Sequence, residues 1–94
     1  MSLKEQMSND IAGIILQKIR EKKGRLSIIS DESSINRKHF NVEDFTKMTH
    51  YQQTRIFYCL ALYLPDGEFE ALTDELRETI LKYKKEYGFD VLDL

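Results

Sequence analysis

Cysteine occurs once in the 94 residues, at Cys59. No internal disulfide can form, and a reducing, cytoplasmic setting is the expectation. Inside the apolar run Ile56 to Leu64 this thiol reads as a small buried hydrophobe rather than a nucleophile. That run is the longest apolar stretch, at about half of what a bilayer crossing needs, so no membrane span is expected. A secretory leader is not expected either. The first apolar segment, Ile11 to Leu16, lacks a basic lead and a small-residue cleavage site. His39 and His50 have no nucleophile or carboxylate at a catalytic spacing and form no metal-ligand cluster with Cys59. No glycine-rich phosphate loop is present. The acid pairs Asp31-Glu32 and Glu43-Asp44 are adjacent, so on a helix they point apart and read as surface. An enzyme is therefore not expected, nor a cofactor or metal. No internal repeat, low-complexity tract or linker is visible.

The length suits one domain, residues 1–94, with a modest core. Apolar residues make up 41% and charged residues 32%, the balance of a small protein with much surface. The net charge of -2 argues against a chain that coats nucleic acid nonspecifically. The charge is uneven, however: +3 from Met1 to Leu64 and -5 from Pro65 to Leu94. A basic working half with an acidic remainder is one reading, and soluble acidic helices are the plainer one.

Periodicity gives five helices and an all-α, compact bundle. Helix one is expected from Asp10 to about Lys23, with Ile11, Ile14, Ile15 and Ile19 on one stripe and Leu16 beside it. Ser8 or Asn9 can cap it and Gly24 can end it. Ser2 and Glu5 stand at capping-box spacing ahead of it, as a loose lead or a helical extension. Helix two should cover Leu26 to Ser33, and helix three Arg37 to about Asp44, followed by a break at Thr46-Lys47-Met48. Thr49 with Gln52 forms a capping box for helix four. It stops at Pro65-Asp66-Gly67, and being apolar on several sides it is expected to be the central one. Helix five, Glu68 to about Tyr87, has Phe69, Leu72, Leu76, Ile80, Tyr83 and Tyr87 at helical spacing. Acids crowd its start, lysines crowd its end, and Gly88 is a natural terminator. The tail Phe89 to Leu94 is apolar enough that folding back on the domain, or pairing with another copy, is expected.

The stretch from Leu26 to Phe45 carries the functional expectation. Apolar Leu26, Ile28 and Ile29 precede a polar break at Ser33-Ser34, Ile35 sits in the break, and Phe40 follows. An apolar side chain at Ile35 implies a turn tucked onto a core, with Asn36 positioned to cap the next helix. Arg37, Lys38 and His39 come next. Cations at a helix start oppose the helix dipole, which points to a use outside the helix.

This stretch resembles the helix-turn-helix of the phage-repressor or Cro-like (lambda-repressor-like) family of DNA-binding domains. Ile29 and Ser30 fall on that family's apolar and small residues of its first helix. Ser34 falls on the usual glycine of the turn, Ile35 on the apolar residue after it, and Phe40 on the buried position of the recognition helix. Glu43 stands where a second buried residue is usual, which implies a short recognition helix or packing supplied by Val42 or Phe45. The resemblance spans about Asp10 to Leu64, with the last helix and tail as an addition. It implies a sequence-specific regulator that binds double-stranded DNA. Helix three would enter the major groove with Arg37, Lys38 and His39, Asn36 and Asn41 as further contacts, and Lys22, Lys23, Arg25 and Lys47 on the DNA backbone. One short helix reads few bases, so a homodimer on a palindromic site is implied, joined through helix five or the tail. The alternative is a protein-interaction module that docks a partner through the Tyr and Phe residues of helices four and five and the tail.

Overall fold

The computed structural model describes residues 2–88. Among these are five α-helices, one short 3-10 turn and no strand: α1 (Leu3–Arg20), α2 (Arg25–Ser33), the 3-10 turn (Arg37–His39), α3 (Val42–Lys47), α4 (His50–Tyr63) and α5 (Asp66–Tyr87). No helix among the described residues is long and apolar enough to cross a membrane. The tail from Phe89 to Leu94, for which folding back or self-pairing was expected, lies outside the described residues.

α1 begins seven residues earlier than the periodicity indicates. The Ser2 hydroxyl accepts the Glu5 N–H at 3.1 Å, satisfying a donor that the first turn leaves free, so the lead is a helical extension. The helix stops at Arg20, ahead of Gly24, whose φ of +87° makes it the left-handed entry to α2 rather than the end of α1. The most buried residues of α1 are Met7, Ala12, Ile15, Leu16 and Ile19, while Ile11 and Ile14 lie at the core's edge.

The hub of the fold is α1, not α4. α1 packs on α2, α3 and α5, whereas α4 packs chiefly on α2 and makes a smaller contact with α5. α4 buries Ile56, Cys59 and Leu60 and leaves Tyr51, Tyr58 and Leu62 in solvent, so it is an outer helix with one inward face. Its start is as the sequence indicates: Thr49 and Gln52 form a reciprocal capping box.

α5 lies along α1 through Leu72 and Tyr83. The Tyr83 hydroxyl donates to Asp10 at 2.6 Å. Phe57 of α4 and Phe69 of α5 meet with ring centroids 5.3 Å apart. Burial of more than a dozen apolar side chains from every α-helix in one cluster is the main source of stability.

Candidate functional site

α2 ends in a tight reversal. Ser34 adopts φ 59°, ψ 32°, the left-handed region that glycine occupies without penalty and serine does not. Its N–H donates to the Asp31 carbonyl, and the Ile35 N–H reaches the Ser30 carbonyl at 3.2 Å. Those two bonds close the helix end in the paired pattern usual for a left-handed terminator. Ile35 then turns inward beside Ile29, and the Ser30 hydroxyl donates to the Ile35 carbonyl at 2.6 Å. The hydroxyl of buried Ser30 is therefore satisfied within the turn.

Beyond the reversal the expected single helix from Arg37 to Asp44 is two pieces. Arg37–His39 forms a 3-10 turn, Phe40 and Asn41 leave helical geometry, and α3 starts at Val42. The physical reason lies in the residues that follow Phe40. In an unbroken helix Glu43 and Asp44 would share the inward face with Phe40, and burying two carboxylates there is costly. Breaking at Phe40-Asn41 sends Phe40 and Phe45 inward together and leaves Glu43 exposed. Phe45, rather than Val42, supplies the missing packing: it is buried, and Val42 is exposed.

Side chains secure this break. Asn36 accepts the Lys38 N–H at 3.0 Å, as its capping position implies. Asn41 accepts the Asp44 N–H at 2.9 Å and donates its amide to the Lys38 carbonyl and the Asp44 carboxylate. It holds the junction, with its polar atoms occupied, rather than standing free as a base contact. The Arg20 guanidinium donates to the Phe40 carbonyl, and the Gln53 amide donates to the Phe45 carbonyl at 2.9 Å. Nothing in periodicity marks Arg20 or Gln53 for these roles. The N-x-x-D spacing of Asn41 to Asp44, by contrast, is a cap signal visible in the sequence.

Of the cations expected at the surface, Arg37 and Lys38 are exposed side by side with Asn36. Arg37 donates to the Ser27 hydroxyl at 3.0 Å, and neither residue forms an ion pair among the described residues. His39 is half-buried, with Nδ1 3.3 Å from the Asp44 carboxylate. Hydrogen bonds from Asn41 and then His39 hold the Asp44 carboxyl below its usual range. Lys47 pairs with Glu43 across one exposed turn at 3.1 Å, a contact weak enough to exchange. It shares a cleft with His39, Asp44 and Gln52, while Arg37 shares another with Ser30, Asp31 and Ser34.

Lys22 and Lys23 are exposed but line a separate cleft, with Ile28, Tyr63 and Pro65. Arg25 departs most from expectation. Its side chain is only 9% exposed, pairs with Glu68 at 3.3 Å and donates to the Lys18 carbonyl at 2.8 Å. It ties the end of α1 to the start of α5, so its guanidinium is engaged inside the fold, at the edge of the cleft that Lys22 and Lys23 line. The expected set therefore divides three ways. Asn36, Arg37, Lys38, His39 and Lys47 lie around the 3-10 turn, Lys22 and Lys23 stand apart, and Arg25 and Asn41 are structural. Among the described residues no cluster of His, Cys, Asp or Glu could hold a metal ion.

Comparison with protein-family models, with curated proteins and with solved structures finds no match to this chain.

Proposed function

We propose that this chain is a DNA-binding regulator of helix-turn-helix type, acting as a homodimer, in which the 3-10 turn takes the part of the recognition helix. The carrying observation is the placement of Arg37 and Lys38. A left-handed terminator at Ser34 and two inward anchors, Ile35 and Phe40, leave these cations exposed together and without an ion pair among the described residues. The bond from Arg37 to Ser27 is a single exposed hydrogen bond, readily exchanged for a guanine edge or a phosphate. Lys38 and Lys47 supply further positive charge around the turn, and Lys22 and Lys23 are suited to a flanking backbone contact. Three consecutive residues read few base pairs, each bidentate contact being worth about 1–3 kcal/mol of discrimination. Useful specificity therefore calls for two copies on a two-fold-related site.

The test is the double variant Arg37→Ala with Lys38→Ala. Specific binding to a selected duplex should fall by about a hundredfold or more, with helicity unchanged. Lys22→Ala should instead weaken binding to all sequences and reduce the log–log salt slope by about 1. Undetectable affinity for mixed duplex at low salt, or affinity indifferent to salt, would refute the reading.

A second reading, a protein-interaction module, is favoured by the carboxylates interleaved with the cations, Asp31 beside Arg37 and Glu43 and Asp44 beside Lys47 and His39, and by the exposed tyrosines of α4. The salt titration separates the two.

A further inference from the structure

Among the described residues, the outward face of α4 gathers the most exposed large apolar side chains. Tyr51, Tyr58 and Leu62 are 68%, 64% and 60% exposed, and with Arg55 they stand at intervals of four, three and four residues. In an α-helix such positions fall in one stripe about 60° wide, the seam spacing of paired helices. Arg55 is the only Asp, Glu, Lys or Arg between Thr49 and Pro65. By contrast, the outward side of α5 carries charges of both signs, among them Glu70, Asp74, Arg77 and Glu78.

We propose that this face is a self-docking surface, on which α4 of a second copy of the chain lies antiparallel. Tyr51 then meets the partner's Leu62, and Arg55 meets the partner's Tyr58. The intervals four, three, four read the same in both directions, so one antiparallel register matches every position of the stripe at once and generates a two-fold axis. Charge selects this direction. A parallel pair would set Arg55 against the partner's Arg55, whereas the antiparallel pair sets each guanidinium over an aromatic ring. Within one chain Arg55 already lies over the Tyr51 ring, 5.6 Å from its centroid, and donates to the Tyr51 hydroxyl at 3.4 Å. The guanidinium is thus laid along the stripe instead of being drawn away to a carboxylate. A seam eleven residues long measures about 16 Å, less than a standard permanent interface, so association should be reversible.

The surface supplies the second copy that the DNA reading calls for, but it does not rest on that reading. Self-association is measured without nucleic acid, and a failed DNA titration leaves it untouched. The experiment is sedimentation equilibrium of the full chain over about 5 to 500 µM, with Tyr58→Lys and Tyr58→Glu beside the unaltered protein. Tyr58 is exposed, so both variants should keep the parent helicity and melting temperature. The expected result is a mass that doubles across the range for the parent and a loss of at least about tenfold in association for Tyr58→Lys, which opposes the partner's Arg55. Association should be retained or strengthened in Tyr58→Glu, which complements it. A monomer at every concentration would overturn the proposal. So would Tyr58→Lys associating like the parent, because the contact would then lie elsewhere. Equal loss in both variants would overturn it as well, because the partner would not present Arg55 at that point.

Discussion

Along α5 residues at helical spacing enter the core, whereas from Ser34 to Met48 the buried side chains are Ile35, Phe40 and Phe45, five residues apart. That spacing fits neither a helix nor a strand. In α5 the backbone satisfies itself and the apolar stripe supplies the energy. In the shorter segment Ser30, Asn36, Asn41, Arg20 and Gln53 each secure a backbone group at a turn or helix end. The regular element is fixed by repetition, the irregular one by single polar contacts. The candidate site sits on the irregular one, where exposed groups can be presented without a long helix beneath them.

The contrast is tested most strongly by Leu72→Ala. Leu72 is fully buried between α5 and its neighbours, so denaturant unfolding should show a loss of about 2–4 kcal/mol. A loss below about 1 kcal/mol would mean that α5 is not integral to the core.

Ser34→Gly should act in the opposite direction. Relief of the left-handed conformation, about 1–2 kcal/mol, outweighs the extra chain entropy of glycine, about 0.5–1 kcal/mol. The net gain is about 0.5–1 kcal/mol, read from the same unfolding curves. Destabilisation by this substitution would mean that the reversal is not closed as described.

A smaller effect separates the regions by pH. The hydrogen bond to Asp10, with burial, pushes the Tyr83 phenol up to about 12 from an ordinary 10.0, whereas the Asp44 carboxyl is held below its ordinary 3.8. A raised phenol contributes stability that is complete below pH 10 and lost as pH climbs toward 12. A depressed carboxylate contributes stability present above about pH 4 and lost as pH falls through its folded value. Alkaline titration should therefore loosen the contact between α1 and α5 and show Tyr83 ionising after an ordinary tyrosine. Acid should loosen the cap of α3 first. In Tyr83→Phe the phenol that ionises at about 12 should vanish from the ultraviolet titration, while the Tyr63 phenol, also raised, remains.

The same contrast decides which features are legible in the sequence. The all-helical fold, α2, α4 with its capping box, and most of α5 follow from periodicity and cap spacing, which are local. Ile35 and Phe40 were legible as anchors because each interrupts a polar run. The break at Phe40-Asn41 was not legible, because it depends on keeping Glu43 and Asp44 out of a core whose position only the other helices define. Arg25 misled for a related reason. Its partner Glu68 lies 43 residues away, and nothing beside Arg25 in the chain marks it as buried. The centrality of α1 was obscured by the apolar richness of α4, half of which faces solvent.

The tie between Arg25 and Glu68 bears on modularity. A fragment cut at Pro65 would keep the turn and its cations yet strand a buried guanidinium without its counter-ion. It would also bare the side of α1 that Leu72 and Tyr83 cover. The first four helices are thus not a transplantable cassette: moved to another protein, they would have to carry the last helix with them.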